Sequence, residues 1–186
     1  MTERQVYRGP NVYGYEPMIR FQVDLGALEE FPTSALPGFN EALIALLPTL
    51  HNHGCSYKEP GGLIRRMQEG TWLGHVIEHV ALDLQSLVGR RVTYGKTRSV
   101  KGQPGVYNVL YAYQEERLGM AAGAVALRLV DSLLPDHLRG VQGWSCCFLP
   151  AKSRSHRARR STLKPRSAPC AGWPNATRWG PPPSPW

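Results

Sequence analysis

The sequence has no acidic side chain after Asp136 and only one cysteine in its first 140 positions. It also has no run approaching the ~18 apolar residues of a membrane span. Each shortage excludes something. No transmembrane segment is expected, and the polar, proline-containing N-terminus is no secretory signal. A lone Cys55 builds no disulfide framework, which favours a reducing, cytoplasmic setting. Neither G-x-x-x-x-G-K-[ST] nor G-x-G-x-x-G occurs, so nucleotide chemistry has no visible seat in the chain. The missing acids also explain the charge. Of the 186 residues, 22 are Lys or Arg and 14 are Asp or Glu, for a formal net charge of +8. Residues 1–140 hold 14 basic and 14 acidic side chains, whereas residues 141–186 hold 8 basic and none acidic. The excess therefore belongs to the last quarter, and it says nothing about the first three quarters.

That division predicts a domain over 1–140 and a tail over 141–186. A stretch of 140 residues suffices for one domain with its own core. The tail is rich in Pro, Arg and Ser and has no hydrophobic period. Segments such as SRSHRARRSTLKPRS and GPPPSPW bury too little apolar surface to order themselves, so the tail is expected to be disordered. It lacks ordered aromatic or groove-fitting elements, so its charge does not make nucleic acid the expected partner.

Within the domain, residues 17–25 alternate apolar and polar side chains and predict a half-buried strand. The first nine residues are polar and extended. Residues 39–51 repeat apolar residues at helical spacing, with Pro48 shortening or kinking the helix. HNHGCSYKEPGG is a loop by its Gly, Pro and Ser content. A short helix over 62–69 ends at Gly70, and Thr71 is placed to cap a longer helix over 72–88. Strands follow over 91–97 and 105–113, then a closing helix over 115–134 whose small residues at 119–124 allow close packing. The order predicts an α+β fold: a two-layer sandwich, mostly antiparallel, with helices on one face.

The sharpest pattern is His75-x-x-Glu78-His79. Residues four apart share a helix face, so both imidazoles can point at one ion. Glu78 lies one turn from His75 and can reach a water at that ion without being a ligand. Zinc suits two neutral imidazoles plus a carboxylate with one position open, which is the inverted zincin arrangement. The bland alternative is two histidines and a glutamate making ordinary hydrogen bonds on a half-exposed helix. The carboxylates placed to complete the set are Glu115 and Glu116, in the first turn of the closing helix. There they also oppose the helix dipole, which needs no metal. Spacing does not separate the two. His51-x-His53-x-Cys55 is a second potential cluster, read as a loop with one buried thiol because no matching half-site lies nearby in sequence. Adjacent Cys146 and Cys147 cannot readily chelate one ion. Arg65, Arg66, Arg90, Arg91, Lys96, Arg98 and Lys101 flank the long helix, either as solvated surface or as a rim for an acidic polymer.

YRGPNVYGYEPMIRFQVDLGALEEFPT, LPGFNEALIALLP, GGLIRRMQEGTWLGHVIEHVALDLQ and VYNVLYAYQEERLGMAAGAVALRLV together resemble the N-terminal domain of cyanophycin synthetase over about residues 6–137. The family makes cyanophycin, a polyaspartate carrying arginine on each side chain, and its full-length members add ATP-grasp and Mur-ligase-like domains. Neither ligase domain is present in this chain, so the resemblance implies no ATP-dependent ligation by it. It implies a polymer-binding module and, as in some members, an inverted-zincin peptidase that clips cyanophycin into primers. On that resemblance His75 and His79 match zinc-ligand positions and Glu78 the catalytic base. A Y-x-x-E-x-x-G pattern fitting Tyr113, Glu116 and Gly119 favours Glu116 as third ligand, with Glu115 in reserve. Arg66 and Trp72 match an Arg and a Trp ahead of the motif and fall to substrate contact or to support of the site, and Arg65 or Arg66 is expected to contact the substrate at the polymer's carboxyl end. The alternative is a non-catalytic polymer-binding module. Nothing after about residue 140 resembles the family, and the tail resembles out-of-frame translation of a GC-rich gene, which suggests a truncated or frameshifted synthetase.

Overall fold

A computed structural model describes residues 3–138. The tail expectations for residues 141–186, Cys146 and Cys147 included, lie outside the described residues. Four strands form one antiparallel sheet: β1 (Glu3–Tyr7), β2 (Met18–Asp24), β3 (Gly95–Val100) and β4 (Gln103–Ala112), in the order β1-β2-β4-β3. Four α-helices join them: α1 (Phe39–Leu46), α2 (Gly62–Glu69), α3 (Leu73–Leu87) and α4 (Glu116–Ser132). The α+β architecture with an antiparallel sheet is the one the sequence predicts. No helix among the described residues is long and apolar enough to cross a membrane.

Alternation builds the central strand. Ile19, Phe21 and Val23 of β2 are fully or almost fully buried, and they pair with Tyr111, Val109 and Tyr107 of β4. These six side chains share one face of the pleat, and α3 and α4 lie over it. Gly74 of α3 touches Tyr107, and Gly123 of α4 lies on Phe21 and Tyr111. Gly123 has to be glycine there. A Cβ would stand 2.0 Å from the Tyr111 hydroxyl and 2.1 Å from the Phe21 ring.

Three boundaries differ from expectation. The polar N-terminus is a true edge strand, because β2 offers it a free row of backbone groups that composition does not reveal. β3 begins at Gly95, four residues later than expected. Its GKTRSV pattern has no buried stripe, and its position is set by pairing with β4 across a turn that includes Gly102, at φ +78°. Trp72, not Thr71, is the residue preceding the first turn of α3. Thr71 is buried one residue earlier, where its N–H donates to Thr33 Oγ1 at 3.0 Å. Pro48 ends α1 as expected, at Leu46, and opens a 3-10 turn over Pro48–Asn52.

Candidate metal centre

Helix α3 and the segment 48–61 face each other across a cavity of about 800 Å³. His75, Glu78, His79 and Asp83 line it from the helix; His53 and Cys55 line it from the segment. The segment is fixed by backbone bonds to the start of α2. Leu63 N–H donates to His53 O at 3.0 Å, and Gly61 N–H donates to His51 O at 2.6 Å. Gly62 packs so tightly on Gly54 that a Cβ there would lie 2.0 Å from the Gly54 carbonyl oxygen. Cys55 itself sits at φ +46°, a region non-glycine residues seldom occupy.

The result is a cluster of donor atoms. Cys55 Sγ lies 3.3 Å from His75 Nε2, and His75 Nε2 lies 3.2 Å from His79 Nε2. One ligand atom from each of the three residues falls within 4.8 Å of the other two. Thiolate and two imidazoles are a zinc donor set, three protein ligands leaving a fourth position for water or substrate. The remaining ring nitrogens have partners of their own. His75 Nδ1 meets Thr71 Oγ1 at 2.9 Å. His79 Nδ1 meets His53 Nδ1 at 3.0 Å, and His53 Nε2 meets Asp83 Oδ1 at 3.1 Å. The residues therefore fit a metal ion: the Nε2 atoms are directed together while the Nδ1 atoms are engaged elsewhere.

Electrostatics agree with neutral imidazoles. Burial pushes the pKa of His75 down to about 4, helped by the nearby Arg66 charge. Burial, then His75 and His53, pushes His79 down to about 3. Glu78 moves the other way. Only 4 % exposed, it is pushed up to about 7 by burial, partly offset by the hydrogen bond it accepts from Thr97 Oγ1 at 2.7 Å. Gly95 makes room for that carboxylate, since a Cβ would stand 2.5 Å from Glu78 Oε1.

The structure brings some expected residues together and not others. His75, Glu78 and His79 share the cavity, as do Arg66 and Trp72, the latter 41 % exposed at its rim. Arg65 is not among the lining residues. It stacks on the Tyr57 ring at 4.3 Å and bonds Glu69 Oε1 at 3.0 Å. Glu116 is not at the cluster either. It opens α4, whose Gly119 packs beside Gln85 in the last turn of α3, whereas the histidines occupy the first half of α3. Arg8 holds Glu116 through bonds of 2.8 and 3.0 Å, and keeps its carboxyl below the usual range. Glu115 contacts Arg90 at 3.4 Å. The third donor at the histidines is the Cys55 thiol. The loop set aside for lack of a half-site thus supplies one; the His-x-Cys spacing was its signal, and its partners lie 20 to 26 residues away in sequence. Asp83 and Thr97 had no signal, and Thr71 was visible only as a candidate helix cap.

Residues 20–135 match the family described as Cyanophycin synthase-like N-terminal domain. The chain is 43% identical over 143 residues to the cyanophycin synthetase of Geminocystis herdmanii, covering 76% of this chain and 16% of that protein. It is 46% identical over 129 residues to that of Synechocystis sp., covering 68% of this chain and 15% of that protein. Against the cyanophycin synthetase of Trichormus variabilis the figures are 42% over 132 residues, 70% and 14%. The chain thus spans roughly a seventh of the length of these relatives.

Proposed function

Because the chain belongs to the cyanophycin synthetase N-terminal domain family, we propose that it binds cyanophycin and hydrolyses the polymer's backbone with zinc, producing short chains that serve as primers. The observation that carries the reading is the convergence of Cys55, His75 and His79 donor atoms in a cavity that Glu78 also lines. Cys55, His75 and His79 would hold the ion. When bound, zinc supplies a Lewis acid that polarises a carbonyl and makes water acidic at neutral pH. The chain's own residues do the rest. Glu78 takes a proton from the attacking water and returns it to the departing amine. Its carboxyl is buried and held by Thr97, and its pKa near 7 suits a group that must both accept and give a proton. Arg66 and Lys96 on the cavity wall offer cations to the carboxyl end of the substrate. Trp72 at the rim offers an apolar face to an arginine side chain. A thiol among the ligands is kept reduced in a reducing compartment, which suits a reaction in the cytoplasm.

A non-catalytic polymer-holding module would use the same cavity without the proton transfer. Glu78→Gln separates the two. Fragment release from purified cyanophycin with zinc present should be abolished, while retention of the polymer should be unchanged. If neither the parent protein nor the variant releases fragments, the hydrolytic reading fails and polymer holding remains.

A further inference from the structure

Resting on that reading of the metal centre, we propose that Asp83 and His53 form a positioning pair that fixes the tautomer of His79, presenting its Nε2 lone pair to the cation. The chain of hydrogen bonds starts at Asp83. This carboxylate is 2 % exposed and accepts a hydrogen bond from Thr49 Oγ1 at 2.7 Å on one oxygen. Its other oxygen faces His53 Nε2 at 3.1 Å. A carboxylate only accepts, so His53 must carry its proton on Nε2. Where His53 is neutral, its Nδ1 bears the lone pair, and that atom meets His79 Nδ1 at 3.0 Å. His79 must therefore be the donor, with its proton on Nδ1. Its Nε2 is left as a lone pair facing His75 Nε2 and the Cys55 side of the cavity. One buried acid thus dictates, through two rings, which nitrogen of His79 is able to bind a metal.

The other histidine is held by a different kind of group. His75 Nδ1 meets a hydroxyl, Thr71 Oγ1, at 2.9 Å, and a hydroxyl both donates and accepts. Without a cation, Thr71 donates to Nδ1 and His75 Nε2–H donates to the His79 lone pair, so every ring nitrogen is paired. With a cation, the His75 proton moves to Nδ1 and Thr71 becomes the acceptor. His79 is preset and His75 adapts. Partners that fix the orientation and tautomer of a ligating histidine typically alter metal affinity by about 10–100-fold.

Asp83→Asn tests this, because an amide NH2 donates where the carboxylate accepted. With its oxygen still accepting from Thr49 and its NH2 turned to His53, it would reverse the chain, placing the His53 proton on Nδ1 and the His79 proton on Nε2. In the full chain stripped of metal, 15N-histidine NMR should find His79 protonated on Nδ1 in the parent and on Nε2 in Asp83→Asn. Zinc affinity, measured by chelator competition, should fall about 10–100-fold. The cobalt-substituted variant should keep its thiolate charge-transfer band, since all three ligands remain. His53→Gly should weaken zinc to a similar degree, and added imidazole should restore it, an effect no merely structural role for His53 would give. The proposal is overturned if the parent shows His79 protonated on Nε2, or if Asp83→Asn and His53→Gly bind zinc as the parent does. Failure of the underlying metal reading has a different signature: the parent binds no zinc, or Cys55→Ser and His75→Ala bind it unchanged. In that case His79 on Nδ1 in the parent would show the pair sets the tautomer, and on Nε2 would overturn the pair as well.

Discussion

The two walls of the cavity place their donors by different physics. On the α3 wall, His75 and His79 stand one turn apart on a regular helix whose buried face, Leu73, Val76, Ile77 and Val80, is locked into the core. Their mutual placement follows from 3.6 residues per turn. On the opposite wall, Cys55 sits in a single 3-10 turn at a strained φ, held by the Gly54–Gly62 contact and by backbone bonds from the start of α2. Nothing local determines where its sulfur points. The helix wall should therefore survive perturbation, and the loop wall should be the fragile half of the site.

The largest expected effect removes the loop donor itself. Cys55→Ala should lower zinc affinity by at least about a hundredfold, the upper end of what an outer partner alone costs. The helix, and the unfolding midpoint of the metal-free protein, should hardly change. Chelator competition and thermal unfolding check this. Equal zinc affinity in parent and variant would mean the thiol is not a ligand.

Next comes a pair of glycines that separates site from scaffold. Gly62→Ala and Gly123→Ala each force a Cβ to within 2.0 Å of another atom, against the loop wall from the start of α2 and under α4 respectively. Overpacking of this kind costs about 1–3 kcal/mol in either place. Only Gly62→Ala should also weaken zinc, because only it displaces the Cys55 turn. Denaturant melts and zinc titrations of both variants give the comparison, and a matching loss of zinc affinity in Gly123→Ala would remove the distinction between the walls.

How much of this was legible in the sequence follows the same division. The helix pair was readable, because period and spacing are local properties of HVIEH. The α+β order was readable from alternation in 17–25 and helical spacing in 72–88. Cys55 and His53 were visible as residue types, but their meaning depended on a fold-back onto α3 that turn chemistry does not encode. Asp83 looked like one more polar position on an amphipathic helix. Its 2 % exposure, and its hold on His53 from the next turn of α3, exist only in three dimensions. β1 was missed because an edge strand owes its existence to the neighbour it pairs with rather than to its own composition.

A smaller effect comes from titration on the helix wall. His75 and His79 have pKa values lowered to about 4 and about 3, and Glu78 has one raised to about 7. In the unfolded chain the histidines take up protons below about 6.5 and the glutamate below about 4.3. Between those two values the unfolded state gains about two protons on the histidines, and the folded state gains about one on Glu78. Net uptake is greater on unfolding, so stability falls as pH drops from about 6.5. Above that, Glu78 ionises at a desolvation cost, and stability slips slightly toward pH 8. The metal-free protein should be most stable near pH 6.5 and lose on the order of 2 kcal/mol by pH 5. Glu78→Gln should steepen the acid limb and flatten the alkaline one. Urea melts across pH 5–8 with a chelator present decide it, and an optimum at pH 5 would contradict the buried-imidazole assignment.

The smallest effect is expected where the sequence pattern pointed most plausibly and the geometry does not follow. Glu116 satisfies a Y-x-x-E-x-x-G spacing, yet its carboxylate is bonded to Arg8 on both oxygens at the start of α4. To reach the histidines it would have to leave that guanidinium and cross the packed contact between Gly119 and Gln85. Glu116→Gln keeps the shape and removes the charge. It should leave zinc affinity unchanged and cost little stability, since exposed ion pairs contribute little. An acidic ligand would behave otherwise: its amide would weaken zinc as strongly as Cys55→Ala does. The two variants measured side by side therefore ask whether the third donor comes from a strained loop or from a helix terminus.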